Sequence, residues 1–445
     1  MRQSARSLDD WLHHAEGVHA LGIDMGLERV GQVADRLGFV APERRPAPRS
    51  VIVAGTNGKG STCIALETLL IRAGLRVGTT LSPHLHRFNE RVRIDGEEVD
   101  DGALCDAFAA VEEARSQIPL TYFEFSALVA LCCFRSAAVD LAILEVGLGG
   151  RLDAFNLVSA DVAIVTSIGL DHQAYLGDDL EGIGREKAGV LRRGQHVVLG
   201  RDVTRSVTRA ATDLACTVRR LGEDFHALER ALDWDFRGTL RADRLRRGDL
   251  APHNCALALE AAAWLGELPE GSAEALASVR MPGRCETWRL QAAGRRLLVV
   301  DVAHNPAGAG FLRQQLALRW PGRRFVAMTG MLADKDSAGV ASAMADAVRA
   351  WVCVPTPGPR GLAAADLAAR LGADERVVTA GDPVDGLEQA LSLCQPGDAI
   401  LAFGSFSLVE RVRNLLAGGF ADARQVGWQE ARVGEPDVPE LDSRR

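Results

Sequence analysis

The sequence predicts an α/β protein. It should have an N-terminal P-loop-type domain, a mostly parallel sheet covered by helices, and a smaller C-terminal α/β domain of Rossmann-like type. Three observations carry this. "VIVAGTNGKGST", Val51 to Thr62, reads as a β-branched strand, a glycine-rich loop and the start of a helix. Short apolar strands then alternate with helical segments, the pattern of a parallel sheet with helices on both faces. Finally, the alternation restarts after Arg284, and a chain of 445 residues exceeds what one core usually serves.

In chain order, Leu8, Trp11, Leu12, Leu21, Leu27, Val30, Val33 and Leu37 fall at helical spacing. "APERRPAPRS" is a connector into the loop strand, and Thr62-Cys63-Ile64-Ala65-Leu66 begins the helix after it. "LRVGTTL", "LAILEVGLGG" and "DVAIVTSIGL" are further strands, each opening into a loop at its C-terminal end, where such sheets bind ligands. The apolar run holding Cys132-Cys133 reads as a core helix. Pro282-Gly283 in "RMPGRCETW" marks the joint, which gives domains at 1–284 and 285–422 and a polar tail at 423–445. "RRLLVVDVAHNPAG" is the expected first strand of the second domain. "RADRLRRGD" reads as a solvated basic run.

A composition of 47% hydrophobic and 25% charged residues is that of a soluble globular chain. The net charge of −8 argues against nucleic acid as a partner. No apolar run is long enough for a membrane span, and "MRQSARSLDDWLHH" lacks a signal-peptide core. Nine cysteines without paired spacing point to reduced thiols in a cytoplasm. Anionic substrates would need local arginines and a metal to offset the charge.

The loop itself departs from the usual phosphate-binding pattern. Val53 stands where the first glycine is expected, and Gly60 separates Lys59 from Ser61. Its backbone N–H groups and the helix dipole still suit phosphate, with Lys59 on the outer phosphates and Ser61 or Thr62 on Mg²⁺. "SPHLHRFNERVRIDGEEV" puts Ser82 and His84 at another strand end. Its Arg87, Arg91 and Arg93 form either an anion-facing cluster or a hairpin with exposed charges. Glu145 ends an apolar strand, where a carboxylate is costly unless paired or metal-bound. Asp171-His172 ends the next strand, and imidazole is an unusual Mg²⁺ ligand, which favours a site with more than one ion. Lys187 in "GREKAGVL" is either a site residue or a solvated lysine. Asn254 opens a helix, Arg284 sits at the joint, and Asp301 and His304 end a strand of the second domain, Asp301 in a position suited to ribose hydroxyls.

Taken in order, "GTNGKGS", "SPHL" with "FNER", "LEVGLGGRLDA", "IGLDH", "EKAG", "DVAHNP" and "DKD" resemble the folylpolyglutamate synthase and dihydrofolate synthase family of Mur-type ligases. The resemblance runs from Ile23 to Glu410. It implies an ATP-dependent ligation in which a pteroate or folate carboxylate takes the γ-phosphate, and L-glutamate's amine then attacks the acyl phosphate. By the family pattern Ser61, Ser82 and Glu145 hold one Mg²⁺. Glu145, His172 and a carbamylated Lys187 hold a second. Gly55, Thr56, Asn57, Gly58, Lys59, Gly60, Ser61 and Thr62 cradle ATP, with Asn254 along adenine, Arg284 and His304 on phosphates and Asp301 on ribose. Lys59, Lys187 and His172 are the implied catalytic residues. Bacterial relatives of this type are often bifunctional, so both dihydropteroate and folate are expected acceptors, in a monomer. Gln173, Ala174, Phe155 and Leu257 depart from the family pattern. Two other readings compete. A cell-wall Mur ligase would need a further domain, for which the roughly fifty residues before the loop are too few. A P-loop switch would hydrolyse nucleotide in response to a macromolecule.

Overall fold

The computed structural model describes residues 6–19, 24–266, 268–372 and 376–432. These form two compact units. The second is built from Arg280 onward together with the short segments Arg230–Asp233 and Arg247–Ala251.

The first unit carries an eight-stranded sheet. Its strands are β1 (Arg49–Ala54), β2 (Val77–Thr80), β3 (Val92–Ile94), β4 (Glu97–Glu98), β5 (Leu141–Glu145), β6 (Val162–Val165), β7 (His196–Leu199) and β8 (Thr217–Arg220). The order is β4-β3-β2-β5-β1-β6-β7-β8, and the six strands from β2 to β8 are parallel. Central β1 and β5 are buried along almost their whole length, so both read as continuous apolar runs rather than alternating ones. A three-stranded antiparallel sheet follows: β9 (His226–Glu229), β10 (Asp233–Arg237) and β11 (Arg241–Arg246).

Helices cover the sheet for local reasons. The helix Tyr122–Ser136 is apolar nearly all round and is therefore buried, Cys132 and Cys133 included. Thr121 caps it, accepting from the Glu124 N–H while the Glu124 carboxylate accepts the Thr121 N–H. Arg29 donates to the same carboxylate at 2.9 Å, tying Glu28–Arg36 to that helix start. The expected N-terminal helices are Leu8–Gly17 and Glu28–Arg36; Leu21 and Ile23 lie outside the described residues.

The second unit has a seven-stranded sheet in the order β16-β15-β14-β17-β13-β12-β18. Here β12 is Glu286–Leu290, β13 Arg296–Asp301, β14 Phe325–Thr329, β15 Val348–Cys353, β16 Val377–Thr379, β17 Ala399–Phe403 and β18 Ala423–Gln425. Two expectations change here. β13 is the unit's second strand, because "ETWRL" forms β12 antiparallel to it. The Glu286 within β12 is buried and accepts from Trp288, Arg413 and Gln425, so its polar letters concealed a core strand. The tail expected from residue 423 is structured at least through β18 and the helix Trp428–Arg432; residues 433–445 lie outside the described residues. The basic run read as solvated forms strand β11, where Arg241, Arg244 and Arg246 are exposed as expected; Arg247 after it is buried instead, its Nε donating to the Arg230 carbonyl at 2.7 Å.

Candidate active site

The loops at the C-terminal ends of β1, β2, β5 and β6 converge because those strands are neighbours in register, with Val53 paired to both Glu145 and Ile164. The loop after β1 turns sharply. Gly55 has φ +145°, and a Cβ there would stand 1.9 Å from Thr166 Oγ1; Gly58 has φ +87°, and its Cβ would stand 2.5 Å from Asn254 Oδ1. Only glycine fits both places. The loop after β6 braces this turn: Thr56 N–H donates to the Ser167 carbonyl at 2.8 Å, Asn57 N–H to Ser167 Oγ at 3.1 Å, and Thr166 Oγ1 to the Asn57 carbonyl at 2.7 Å. The helix Lys59–Arg72 then begins, with Gly60, Ser61 and Thr62 buried in its first turn.

A pocket enclosing about 260 Å³ of empty space is lined by Gly55, Thr56, Lys59, Asp171, His172 and Lys187, with the Gly147–Gly149 turn completing its wall. Lys187 is on the helix Leu180–Ala188 and only 5% exposed, which removes the solvated-lysine reading. Its Nζ donates to the Gly55 carbonyl at 2.9 Å. Lys59 Nζ donates to the same oxygen at 3.1 Å and to the Thr56 carbonyl at 3.3 Å. Burial, and then the Lys59 charge, bring the Lys187 amine down to about 7.

Glu145 is buried at the end of β5 and accepts the Ser82 N–H at 2.6 Å, so two of the expected metal-binding residues meet directly. His172 adopts φ +51° in the turn before the helix Gln173–Leu176, and its N–H donates to Asp171. Gln173 and Ala174, which depart from the family pattern, are exposed. Phe155 is buried and meets Phe123 edge-on at 5.8 Å, and the Phe123 ring in turn covers Gly147.

Sequence reasoning gave Asp153 and Asp171 no role. Asp153 shapes the pocket wall by accepting N–H groups from Gly147 at 2.9 Å, Leu148 at 3.2 Å and Phe155 at 2.9 Å. Burial outweighs these bonds and raises its carboxyl to about 6. Their signal was faint: one acid each, directly after a glycine-rich turn and a strand end. The arginine cluster is reapportioned. Arg93 pairs with buried Glu67, Arg87 pairs with Asp101, and Arg91 donates to His84 Nδ1 at 2.7 Å. His84 is held neutral, its pKa lowered to about 4 by burial and the Arg91 charge.

The remaining expected residues divide between the units. Asn254, in the first unit, packs on Gly58 from the first turn of Pro252–Leu265. In the second unit Asp301 accepts N–H groups from Cys285 at 2.7 Å and Ala303 at 2.8 Å, Arg284 lies over the Phe406 ring, and His304 lies beside the same ring. Asp301 thus fastens its own loop, although a carboxylate holding two N–H groups keeps lone pairs for a ligand.

Among known proteins, the Escherichia coli (strain K12) dihydrofolate synthase/folylpolyglutamate synthase is 40% identical over 432 residues, covering 96% of this chain and 98% of that protein. The chain belongs to the dihydrofolate synthase/folylpolyglutamate synthase family. Residues 283–406 match the family model for the Mur ligase glutamate ligase domain. The E. coli FolC structure in complex with DHPP and ADP superposes with TM-score 0.87 at 39% identity, covering 94% of this chain and 99% of that one. A bifunctional folylpolyglutamate synthase/dihydrofolate synthase solved with Mn, AMPPNP and L-glutamate bound gives TM-score 0.84 at 40% identity, covering 93% and 99%. Members of this family are ATP-dependent, ADP-forming ligases. That places the chain among enzymes and removes the P-loop-switch reading.

Proposed function

We propose that the chain joins L-glutamate both to dihydropteroate and to folate, through an acyl phosphate made from ATP. The observation that carries this is the convergence of a buried, readily neutralised Lys187 and a phosphate loop on one carbonyl, in a member of this family. The relatives solved with nucleotide, Mn, DHPP and L-glutamate support the same reading.

In this reading the N–H groups of Gly55 to Thr62 receive the phosphates, Lys59 swings from its two carbonyls to the outer phosphate, and Asn254 lies along adenine. Asp301 takes the ribose, and Arg284 and His304 take phosphates. The donor set fits hard divalent ions, because Ser61, Ser82 and Glu145 offer oxygen atoms and Glu145 is buried at the junction. Ser61, Ser82 and Glu145 would hold one Mg²⁺, and Glu145, His172 and carbamylated Lys187 a second. When bound, these ions offset charge building up on the transferring phosphate and polarise it. The neutral Lys187 amine would attack the carbon of CO₂: the N–C bond forms as one C=O π bond opens to an oxyanion, and the nitrogen's proton passes to water. The resulting anion no longer repels the Lys59 charge and offers oxygen atoms in place of a cation. Burial in the pocket keeps water from the acyl phosphate.

We place the enzyme in the cytoplasm as a monomer. All nine cysteines are free thiols, and no described helix is long and apolar enough to cross a membrane. ADP release that requires glutamate and an acceptor together would support the ligase reading. ADP release from ATP alone at the full rate would overturn it.

A further inference from the structure

A second pocket lies on the first unit, at the C-terminal ends of β7 and β8 and away from the residues above. It encloses about 390 Å³ of solvent-open space and is lined by Arg201, Arg220, Leu221, Gly222, Glu223 and His226. Arg220 is fixed, donating to Glu223 at 2.7 Å and to the Arg201 carbonyl at 3.1 Å. That pair is close to neutral. The Arg201 guanidinium and the His226 imidazole have no hydrogen-bond or ion-pair partner among the described residues, so the pocket keeps an excess of donors. Glu223 is its single acid, and it is already engaged.

The pocket is tied to the phosphate loop by backbone. The Ile168 N–H donates to the Asp202 carbonyl at 2.8 Å and the Gly200 N–H to the Val165 carbonyl at 2.8 Å, while Ser167 between them holds Thr56 and Asn57. With the strand order β1-β6-β7-β8, its floor is about 10 Å from the end of β6 at roughly 4.8 Å per strand. An extended acidic chain passing the end of β6 spans that distance within a few residues.

We propose that this pocket binds carboxylates of an acceptor that already carries a glutamyl tail. This rests on the ligase reading above, in which each cycle adds one more carboxylate to the acceptor. Arg201 and His226 would donate to a carboxylate oxygen, with Arg220 as a fixed neighbour. Longer tails then gain contacts that unglutamylated acceptors lack.

The test uses the full-length protein and two probes, a γ-linked triglutamate peptide and inorganic phosphate, titrated by calorimetry at low salt into wild type, Arg201→Glu and His226→Ala. Arg201 is exposed and outside the proposed catalytic machinery, so folding should persist; Arg201→Gln supplies a milder variant. The peptide should bind wild type and weaken about tenfold in Arg201→Glu, the size expected for one charge-assisted contact. In turnover assays KM for a triglutamylated folate should rise by a similar factor, while KM for dihydropteroate stays unchanged. Equal peptide binding in all variants would overturn the proposal. So would phosphate binding as strong as the peptide's, or equal KM increases for both acceptors. If no acceptor is glutamylated at all, the ligase reading fails, and the peptide titration still decides the pocket.

Discussion

Lys187 and Lys59 donate to one oxygen, the Gly55 carbonyl, at 2.9 and 3.1 Å. Burial disfavours the Lys187 ammonium, and the Lys59 charge on the same acceptor adds to that, so the Lys187 amine is brought down to about 7. A lysine depressed in this way has a free lone pair under ordinary conditions. The neutral fraction, and with it carbamate formation, increases as pH rises through about 7. Enzyme depleted of CO₂ should therefore regain activity faster at pH 8 than at pH 6 when the same concentration of dissolved CO₂ is supplied at each pH. Lys187→Arg, which stays charged and cannot form the carbamate, should be nearly inactive at both. Lys187→Ala should recover partly with short carboxylates. Full activity in Lys187→Arg would contradict the carbamate.

Glu145→Gln keeps size and an acceptor for the Ser82 N–H, but removes the charge proposed to serve both metal ions. Turnover should fall by roughly 10²-fold or more, the scale of losing a positioned electrostatic group. The melting temperature should hold within a few degrees. Near-normal turnover with a large loss of stability would make Glu145 a structural residue.

Gly58→Ala places a Cβ 2.5 Å from Asn254 Oδ1 at φ +87°. Strain and clash together should cost roughly 1–3 kcal/mol and weaken nucleotide binding. Asn254→Ala in the same chain should return the clash part and leave the strain. A double-mutant cycle on denaturation midpoints and ATP affinity measures this, and strictly additive effects would count against the contact.

Asp153→Asn tests the pocket wall. Asparagine has one acceptor oxygen where Asp153 serves three N–H groups, so about 1–3 kcal/mol should be lost at neutral pH. Because burial raises the folded carboxyl to about 6, the folded state binds a proton that the unfolded state has released between about pH 4 and 6. This group's contribution to stability is complete below that window and falls as pH rises through it. In metal-free protein the variant should lack that decline, and difference melting curves against wild type across pH 4–7 read it directly.

Much of this was legible in the sequence because it lies in strand-to-loop punctuation. Val51–Val53 with Gly55, Gly58 and Lys59 announces a strand, a turn and an anion site. The expected Glu145 and Ser82 do meet, since both follow parallel strands beside one another. What escaped depends on partners far along the chain. β12 is hidden by Glu286, whose burial is offset by Arg413, more than a hundred residues away. The arginines of "HRFNERVRI" looked free because Glu67 and Asp101 lie outside that stretch. Asp153 draws its role from three backbone N–H groups, which no side-chain pattern announces.

The ligase reading meets its most direct test in mass spectrometry of the products formed from ATP, L-glutamate, Mg²⁺ and either dihydropteroate or tetrahydrofolate. With each acceptor a product heavier by one glutamyl residue should appear, in step with ADP and phosphate. ATP consumption with no glutamylated product from either acceptor would contradict it.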